Sequence, residues 1–291
     1  MKPPPFDYVL AKNVEDAVLT LAHAGGDAKI IAGGQSLVPM LNFRLLKPSV
    51  LVDINAISDL SFIADDGDAV RIGALTRHRQ LETSQLITQY FPVITEAMSY
   101  VAHLAIRNRG TIGGSLSHAD PAAELPMLAL LLDAELQAVS STGSRTIAAR
   151  DFFLGALIVD LKEDELLTEI RIPKLAPSSG WGFAEVARRS GDFALAGVAV
   201  TLSITNGIIS SVRIAMVGVG DRPQRATEAE TVLEGQRLTP ALLDRVSRAA
   251  RDAVTPHTDA HASADYRRHL IGVLTERVVS AAWRRANEAA A

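Results

Sequence analysis

The sequence predicts an α+β protein in which small α/β units come first and a compact antiparallel unit follows. Helical spacing alternates with short apolar runs in the opening part, as where Val14, Ala17, Val18, Leu21 and Ala22 precede Lys29–Ala32. Beyond about residue 180 the pattern becomes period two with tight turns, in Trp181–Arg188, Ala194–Ile204 and Ile208–Val219. A third observation says where a ligand belongs. Ile30–Ala32 runs into Gly33, Gly34, Gln35 and Ser36, and a second stretch of the same shape is Thr111, Ile112, Gly113, Gly114 and Ser115. A Gly-Gly pair beside a hydroxyl or amide offers bare backbone N–H groups and short donors to a diphosphate. Two such loops point to one ligand held from two sides.

In chain order, Asn13 caps the first helix and Gly25-Gly26 stops it. The strand Lys29–Ala32 delivers the first glycine loop, Ser36 caps a short helix with Pro39 in its first turn, and a strand runs from Val50 to Ile54. The dinucleotide fingerprint Gly-x-Gly-x-x-Gly is missing. Ser61–Ala64 and Ala69–Gly73 then flank the hairpin signal Asp65-Asp66-Gly67, and Thr76 opens a helical region reaching about Ala102. After the second glycine loop, Asp120-Pro121 is a helix start, and the helix through Leu132 is apolar nearly all round, which predicts burial. Glu135–Val139 and Arg145–Ala148 form another hairpin, and Leu166–Ile172 alternates until Pro173. Lys174–Gly180, rich in Pro and Ser, reads as a domain boundary. The closing unit is three antiparallel strands, with Asn206-Gly207 joining the last two. Two helices back it. One starts at Thr239-Pro240 and the other at Ser263, with Tyr266, Leu270, Val273, Leu274 and Val278 on one face.

Composition narrows the function. With 291 residues, 48% of them hydrophobic, there is room for two or three packed units. A net charge of −4 with scattered basic residues gives no electrostatic reason to bind nucleic acid or an anionic membrane. No cysteine occurs, so disulfides, thiolate metal sites, cysteine nucleophiles and an iron–sulfur cluster on this chain are excluded. No apolar leader or spanning run is evident, which leads to the expectation of a cytoplasmic protein.

Among single residues, His118 reads as a histidine packed in a structured loop ahead of a catalytic acid or base, and no Ser-His-Asp role can be assigned. The other histidines lack metal-ligand spacing. Arg107 and Arg109 suit either a phosphate or the pinning of the loop through carbonyls and ion pairs. Asp120 reads as a helix cap able to accept from ligand hydroxyls, and Glu124 is in a natural place to receive a ribityl or ribose hydroxyl.

Five runs carry a resemblance: AGGQSLVPMLNFRL, LVDIN, IRNRGTIGGSLSHADPAAELP, RRSGDFALAG and HASADYRRHL. Together, in the right order and over almost the whole chain, they resemble the flavin-binding medium subunit of molybdenum-containing hydroxylases. That family includes the flavoprotein of aerobic carbon monoxide dehydrogenase and the flavin domain of xanthine dehydrogenase. The resemblance implies a vanillyl-alcohol-oxidase-type (PCMH-like) fold with FAD-binding subdomains over 1–57 and 58–176, and a C-terminal α+β domain over 177–291. It implies FAD on this chain, with the pyrophosphate held by Ala32, Gly33, Gly34, Gln35 and Ser36 and by Thr111, Gly113, Gly114 and Ser115. Lys29 and Leu37 flank the first loop as contacts. Glu124 takes the place of a ribityl-binding acid with Asp120 as its partner, Leu167 matches an apolar contact near the adenine, and Phe193 matches a residue against the isoalloxazine ring. The xanthine dehydrogenase lysine expected around Ala184 is absent, which bears on whether NAD is the acceptor.

As partners the resemblance implies a molybdopterin-binding large subunit and a [2Fe-2S] small subunit, in a dimer of heterotrimers. This chain would relay electrons from the clusters through FAD to an acceptor, with no catalytic side chain. A self-sufficient FAD oxidoreductase of the same fold, for which His118 and Arg107 are the available polar groups, and a flavin-free scaffold are the competing readings.

Overall fold

The computed structural model describes residues 2–290, and its strands gather into three principal sheets. In the first, β1 (Asp7–Leu10), β2 (Ala28–Ile31) and β3 (Val50–Asp53) are parallel, with β3 in the middle. Helix α1 (Val14–Ala24) crosses from β1 to β2 and buries Ala17, Val18 and Leu21. Asn13 caps it by accepting the Asp16 N–H at 2.8 Å, and Gly25 ends it in the left-handed region at φ 55°. Helix α2 (Leu37–Asn42) follows the first glycine turn. β1 is absent from the expected elements. Tyr8 and Leu10 on it are exposed, so it carries no buried alternation, and it exists because β3, far along the chain, supplies its hydrogen bonds.

The second unit holds helices α3 (His78–Thr83), α4 (Gln85–Tyr90), α5 (Pro92–Met98), α6 (Leu104–Arg107), α7 (Ile112–His118), α8 (Glu124–Leu131) and α9 (Ala149–Phe152). Its strands are β4 (Ile63–Asp66), β5 (Ala69–Gly73), β6 (Glu135–Ser140), β7 (Gly143–Ala148), the small hairpin β8 (Phe153–Gly155) and β9 (Ile158–Val159), and β10 (Leu166–Pro173). An antiparallel sheet in the order β4-β5-β10-β6-β7 packs against the helices through Ile72, Phe91, Met98, Leu116, Met127, Leu128, Leu136 and Ile170. Every residue of α8 is buried, as its all-round apolar sequence predicts.

The third sheet corrects the expected three strands to four. To β11 (Gly180–Ala187), β12 (Ala194–Thr205) and β13 (Ile208–Val217) the chain adds β14 (Gln224–Arg225), two residues long and so without a readable period. It is held by Arg225, whose Nε reaches the Glu230 carboxylate at 2.6 Å, while the same oxygen accepts the Ile214 N–H of β13 at 2.7 Å. Glu230 lies on α10 (Thr227–Leu233), followed by α11 (Pro240–Asp252) and α12 (Ala264–Ala290). The buried face of α12 is Leu270, Ile271, Leu274, Val278, Val279, Ala282 and Ala286. Tyr266 and Val273, expected on that face, are 46% and 40% exposed. They lie a heptad apart, and the packed stripe instead follows the i, i+4 row from Leu270. Among the described residues no helix is long and apolar enough to cross a membrane.

α12 lies directly on β11 because Gly180 and Gly182 have no side chains. A Cβ at Gly180 would collide with the Ala282 carbonyl, and one at Gly182 would come within 2.5 Å of the Val278 carbonyl. Gly182→Ala should therefore lower unfolding stability by about 1–3 kcal/mol, the range for forced overpacking, read as a drop in denaturation midpoint with an unchanged m-value.

Candidate functional site

The first glycine stretch is a turn at the carboxyl end of β2. Gly34 sits at φ +71°, a conformation that L side chains rarely adopt, and the Gln35 side-chain amide donates to the Gly33 carbonyl at 2.9 Å. Ser36 stands at the cap position of α2, but its backbone is already helical (φ −99°, ψ −46°) and its hydroxyl caps nothing. That corrects the expected cap and leaves the hydroxyl unspent. Leu37 opens α2 and is half-buried.

The second stretch is not a loop after a strand. Thr111 is the N-cap of α7, its Oγ1 accepting the Gly114 N–H at 3.1 Å, and Gly113, Gly114 and Ser115 form the helix's first turns. The sequence concealed this because two glycines are poor helix formers, whereas tertiary packing requires them. A Cβ at Gly113 would meet that of Ala74 at 2.6 Å, so this glycine seats α7 on the chain just beyond β5. Gly114 is exposed, and its Cβ would meet only the Thr111 hydroxyl.

The fold brings the two stretches together. A Cβ at Gly33 would collide with the Arg109 carbonyl and come within 2.9 Å of the Gly110 Cα, so backbone touches backbone. Two residues outside the sequence-based set brace the contact. Asn55 Nδ2 donates to the Ala32 carbonyl at 2.8 Å; Arg77 Nη2 donates to Asn55 Oδ1 at 2.7 Å, and its Nη1 donates to the Arg109 carbonyl. Asn55 could have been singled out from the LVDIN run, but nothing near Arg77 in sequence announces its role. Behind them His78 is buried, with Nε2 3.0 Å from the Thr111 carbonyl. Burial pushes its pKa from 6.5 down to about 4, so the ring is neutral. Arg107 pins the approach to α7, donating to the carbonyls of Val101 and Ala102 at 2.9 and 3.0 Å and pairing with Glu82 at 3.1 Å. The Arg109 side chain is exposed.

The remaining expected residues spread out from this contact. Glu124, the first residue of α8, is only 5% exposed, and burial raises its carboxyl to about 7, with the Asp120 charge adding to the effect. Asp120 is not the cap of α8, a position Ala123 holds. Asp120 Oδ1 instead accepts the Ala122 N–H at 2.8 Å, forming a turn before the helix that Pro121 makes compact. Asp120 and Phe193 line one cavity of about 320 Å³, together with Arg188, Asp192, Leu195 and His257. Phe193 is 60% exposed, at the end of a turn whose Gly191 (φ +82°) rests against His103. Leu167 lies on β10 beneath α7, with its side chain in the core that holds Ile112 and Leu116. Lys29 is exposed near the start of β2 and lines a separate hollow of about 150 Å³ with Gly26, Asp27 and Lys47. His118 is half-buried, and burial lowers its pKa against the opposing pull of Asp120, without a nucleophile to serve. Among the described residues no group of His, Cys, Asp and Glu could hold a metal ion.

The residues fit a flavin dinucleotide. The positive φ of Gly34, the bare face at Gly114 and the unspent Ser36 hydroxyl suit a diphosphate, and the buried Glu124 suits a polyol. Comparison with known proteins gives the class. Residues 4–175 match the model of the FAD binding domain in molybdopterin dehydrogenase, and residues 181–282 match that of the CO dehydrogenase flavoprotein C-terminal domain. The chain belongs to the family of FAD-binding medium subunits of molybdenum hydroxylases. It is 45% identical to the 6-hydroxypseudooxynicotine dehydrogenase complex subunit alpha of Paenarthrobacter nicotinovorans, covering 98% of this chain and 97% of that one. Among solved structures it is similar to carbon monoxide dehydrogenase from Hydrogenophaga pseudoflava (38% identity, TM-score 0.96, 98% and 99% of the two chains). It is likewise similar to quinoline 2-oxidoreductase from Pseudomonas putida 86 (38%, TM-score 0.94, 98% and 99%).

Two outcomes are expected at this contact. Arg77→Ala, which strips the Arg109 carbonyl and Asn55 of their partner, should weaken FAD retention about tenfold and cost about 1–3 kcal/mol of stability, measured by flavin fluorescence on dilution and by denaturant titration. Because the folded-state pKa of His78 is depressed, its contribution is full above pH 6.5 and lost as pH falls toward 4, about 3 kcal/mol in all. A His78→Gln variant should show a correspondingly flatter stability profile over that interval.

Proposed function

We propose that this chain is the electron-transfer subunit of a heteromeric molybdenum hydroxylase, passing electrons from a partner's [2Fe-2S] clusters through FAD to an external acceptor. The observation that carries this reading is the meeting of the two glycine segments at Gly33 and Arg109–Gly110, in a chain that matches flavin subunits along its whole length. The absence of cysteine supports clusters on another polypeptide. FAD supplies two-electron storage when bound. The residues of this chain position it: Ala32–Ser36 and Thr111, Gly113, Gly114 and Ser115 around the pyrophosphate, with Lys29 and Leu37 beside the first turn. Glu124 and Asp120 serve the ribityl chain, Leu167 lies toward the adenine and Phe193 lies against the ring.

The same reading divides the chain at 57/58 and 176/177. It places the molybdopterin cofactor on a large subunit and the clusters on a small one, in a cytoplasmic dimer of heterotrimers. The similar proteins are named for carbon monoxide as well as for quinoline and an oxynicotine derivative, substrates as unlike as a diatomic gas and a heteroaromatic ring, which supports substrate choice by the large subunit.

Expression of the chain with its candidate partners should yield a complex with FAD in near-equal ratio to this subunit, identified by its visible spectrum and by release of the chromophore. Turnover by the lone FAD-loaded chain would instead establish the self-sufficient oxidoreductase, and a chain that takes up no flavin in either state would establish a scaffold.

A further inference from the structure

A second carboxyl, half-buried but with one oxygen fully enclosed, lies on the third sheet. Glu185 lies on β11, where alternation places it on the same face as Trp181 and Phe183, against the core of the second unit, whereas Ala184 belongs to the core shared with the carboxyl-terminal helices. Its register partner on β12 is Gly197, in turn opposite Val217 on β13. A Cβ at Gly197 would lie 2.9 Å from Val217 Cγ1 and 3.2 Å from Glu185 Cβ, so the glycine keeps a notch open between them. Glu185 Oε2 is buried without a hydrogen-bond partner. Glu124 bears on it from the start of α8, which packs on β12 and β13.

No cation answers this pair among the described residues. The segment before α8 contributes Asp120 and the half-buried His118, β12 and β13 contribute Gly197, Ala199, Ala215 and Val217, and Glu96 on α5 is engaged with Arg285 at 3.5 Å. Burial raises Glu185 to about 8, with Glu124 adding its charge, so near neutral pH Glu185 keeps its proton. A buried polar group left without a partner is costly unless a ligand answers it.

We propose that Glu185 is a second cofactor-binding carboxyl, which together with Glu124 receives the hydroxyl chain of FAD. This rests on the flavin reading above and adds to it a residue on the C-terminal domain. A hydroxyl both donates and accepts, so a protonated carboxyl beside an ionisable one matches a polyol in both senses. The two carboxyls also come from different domains, so the cofactor would tie the third sheet to the second unit.

The test uses the full chain with FAD as probe. Glu185→Leu should raise the FAD dissociation constant about tenfold, measured by fluorescence quenching, while raising the thermal midpoint of the FAD-free protein, because a buried orphan carboxyl is gone. Glu185→Gln, which still donates and accepts, should stay within about threefold of wild type. Gly197→Ala, whose methyl group would press on Val217 and on the Glu185 side chain, should weaken FAD severalfold. Wild-type affinity in Glu185→Leu overturns the proposal, as does a parallel loss of affinity and FAD-free stability, which would mark a structural role. A wild-type chain that binds no FAD would overturn the flavin reading as well, whereas normal wild-type binding with unchanged variants overturns this inference alone.

Discussion

Backbone against backbone at Gly33 and Arg109–Gly110 is the contact that organises the amino-terminal half of the molecule. No side chain can occupy that space, so the turn after β2 and the approach to α7 meet at van der Waals distance and form one surface. Such a contact contributes little apolar burial of its own. It is sustained by hydrogen bonds around it: Asn55 to Ala32, and Arg77 to both Asn55 and the Arg109 carbonyl. His78 supports the second side from within, neutral because burial outweighs every influence that would charge it. Gly113 repeats the device, letting α7 descend onto Ala74.

The third sheet is fastened to this assembly by equally specific means. The Gly218 N–H donates to the Pro121 carbonyl at 3.0 Å, in the turn that Asp120 shapes. Arg267 on α12 holds the Leu195 and Gly218 carbonyls at 2.5 and 3.1 Å and pairs with Asp259 at 2.7 Å. The ends of β12 and β13 are thereby fixed beside the start of α8, so Phe193 shares a cavity wall with Asp120 and Glu185 comes within electrostatic reach of Glu124. The ionisable side chain on β11 is the carboxyl of Glu185.

Belonging to the medium subunits gives these features a common purpose. A flavin subunit positions its cofactor and tunes its surroundings, and the chemistry stays with the cofactor. The neutral His78 and the carbonyl-pinning Arg107 accordingly brace the backbone on either side of the second glycine segment's start. Arg107 illustrates how a guanidinium beside a loop pins carbonyls and pairs with a carboxylate.

The sequence by itself determined the local grammar of the protein. Asn13, Thr239 and Ser263 cap their helices, Gly25 ends one, Asn206-Gly207 turns a hairpin, and the apolar run of α8 is buried, because each depends on neighbours a few residues away. The glycine pairs and five linked runs also exposed the family, since those positions are dictated by backbone shape. Tertiary structure alone decided the rest. β1 and β14 exist through distant pairing partners, Ile112–Ser115 becomes helical with Gly113 seated on Ala74, and Asp120 gives the cap of α8 to Ala123. Arg77 and Glu185 acquire their meaning from groups brought near them by folding, one from partners and the other from the lack of them. Periodicity reports which face of an element is buried, but what a side chain meets there is set by segments far away in the chain.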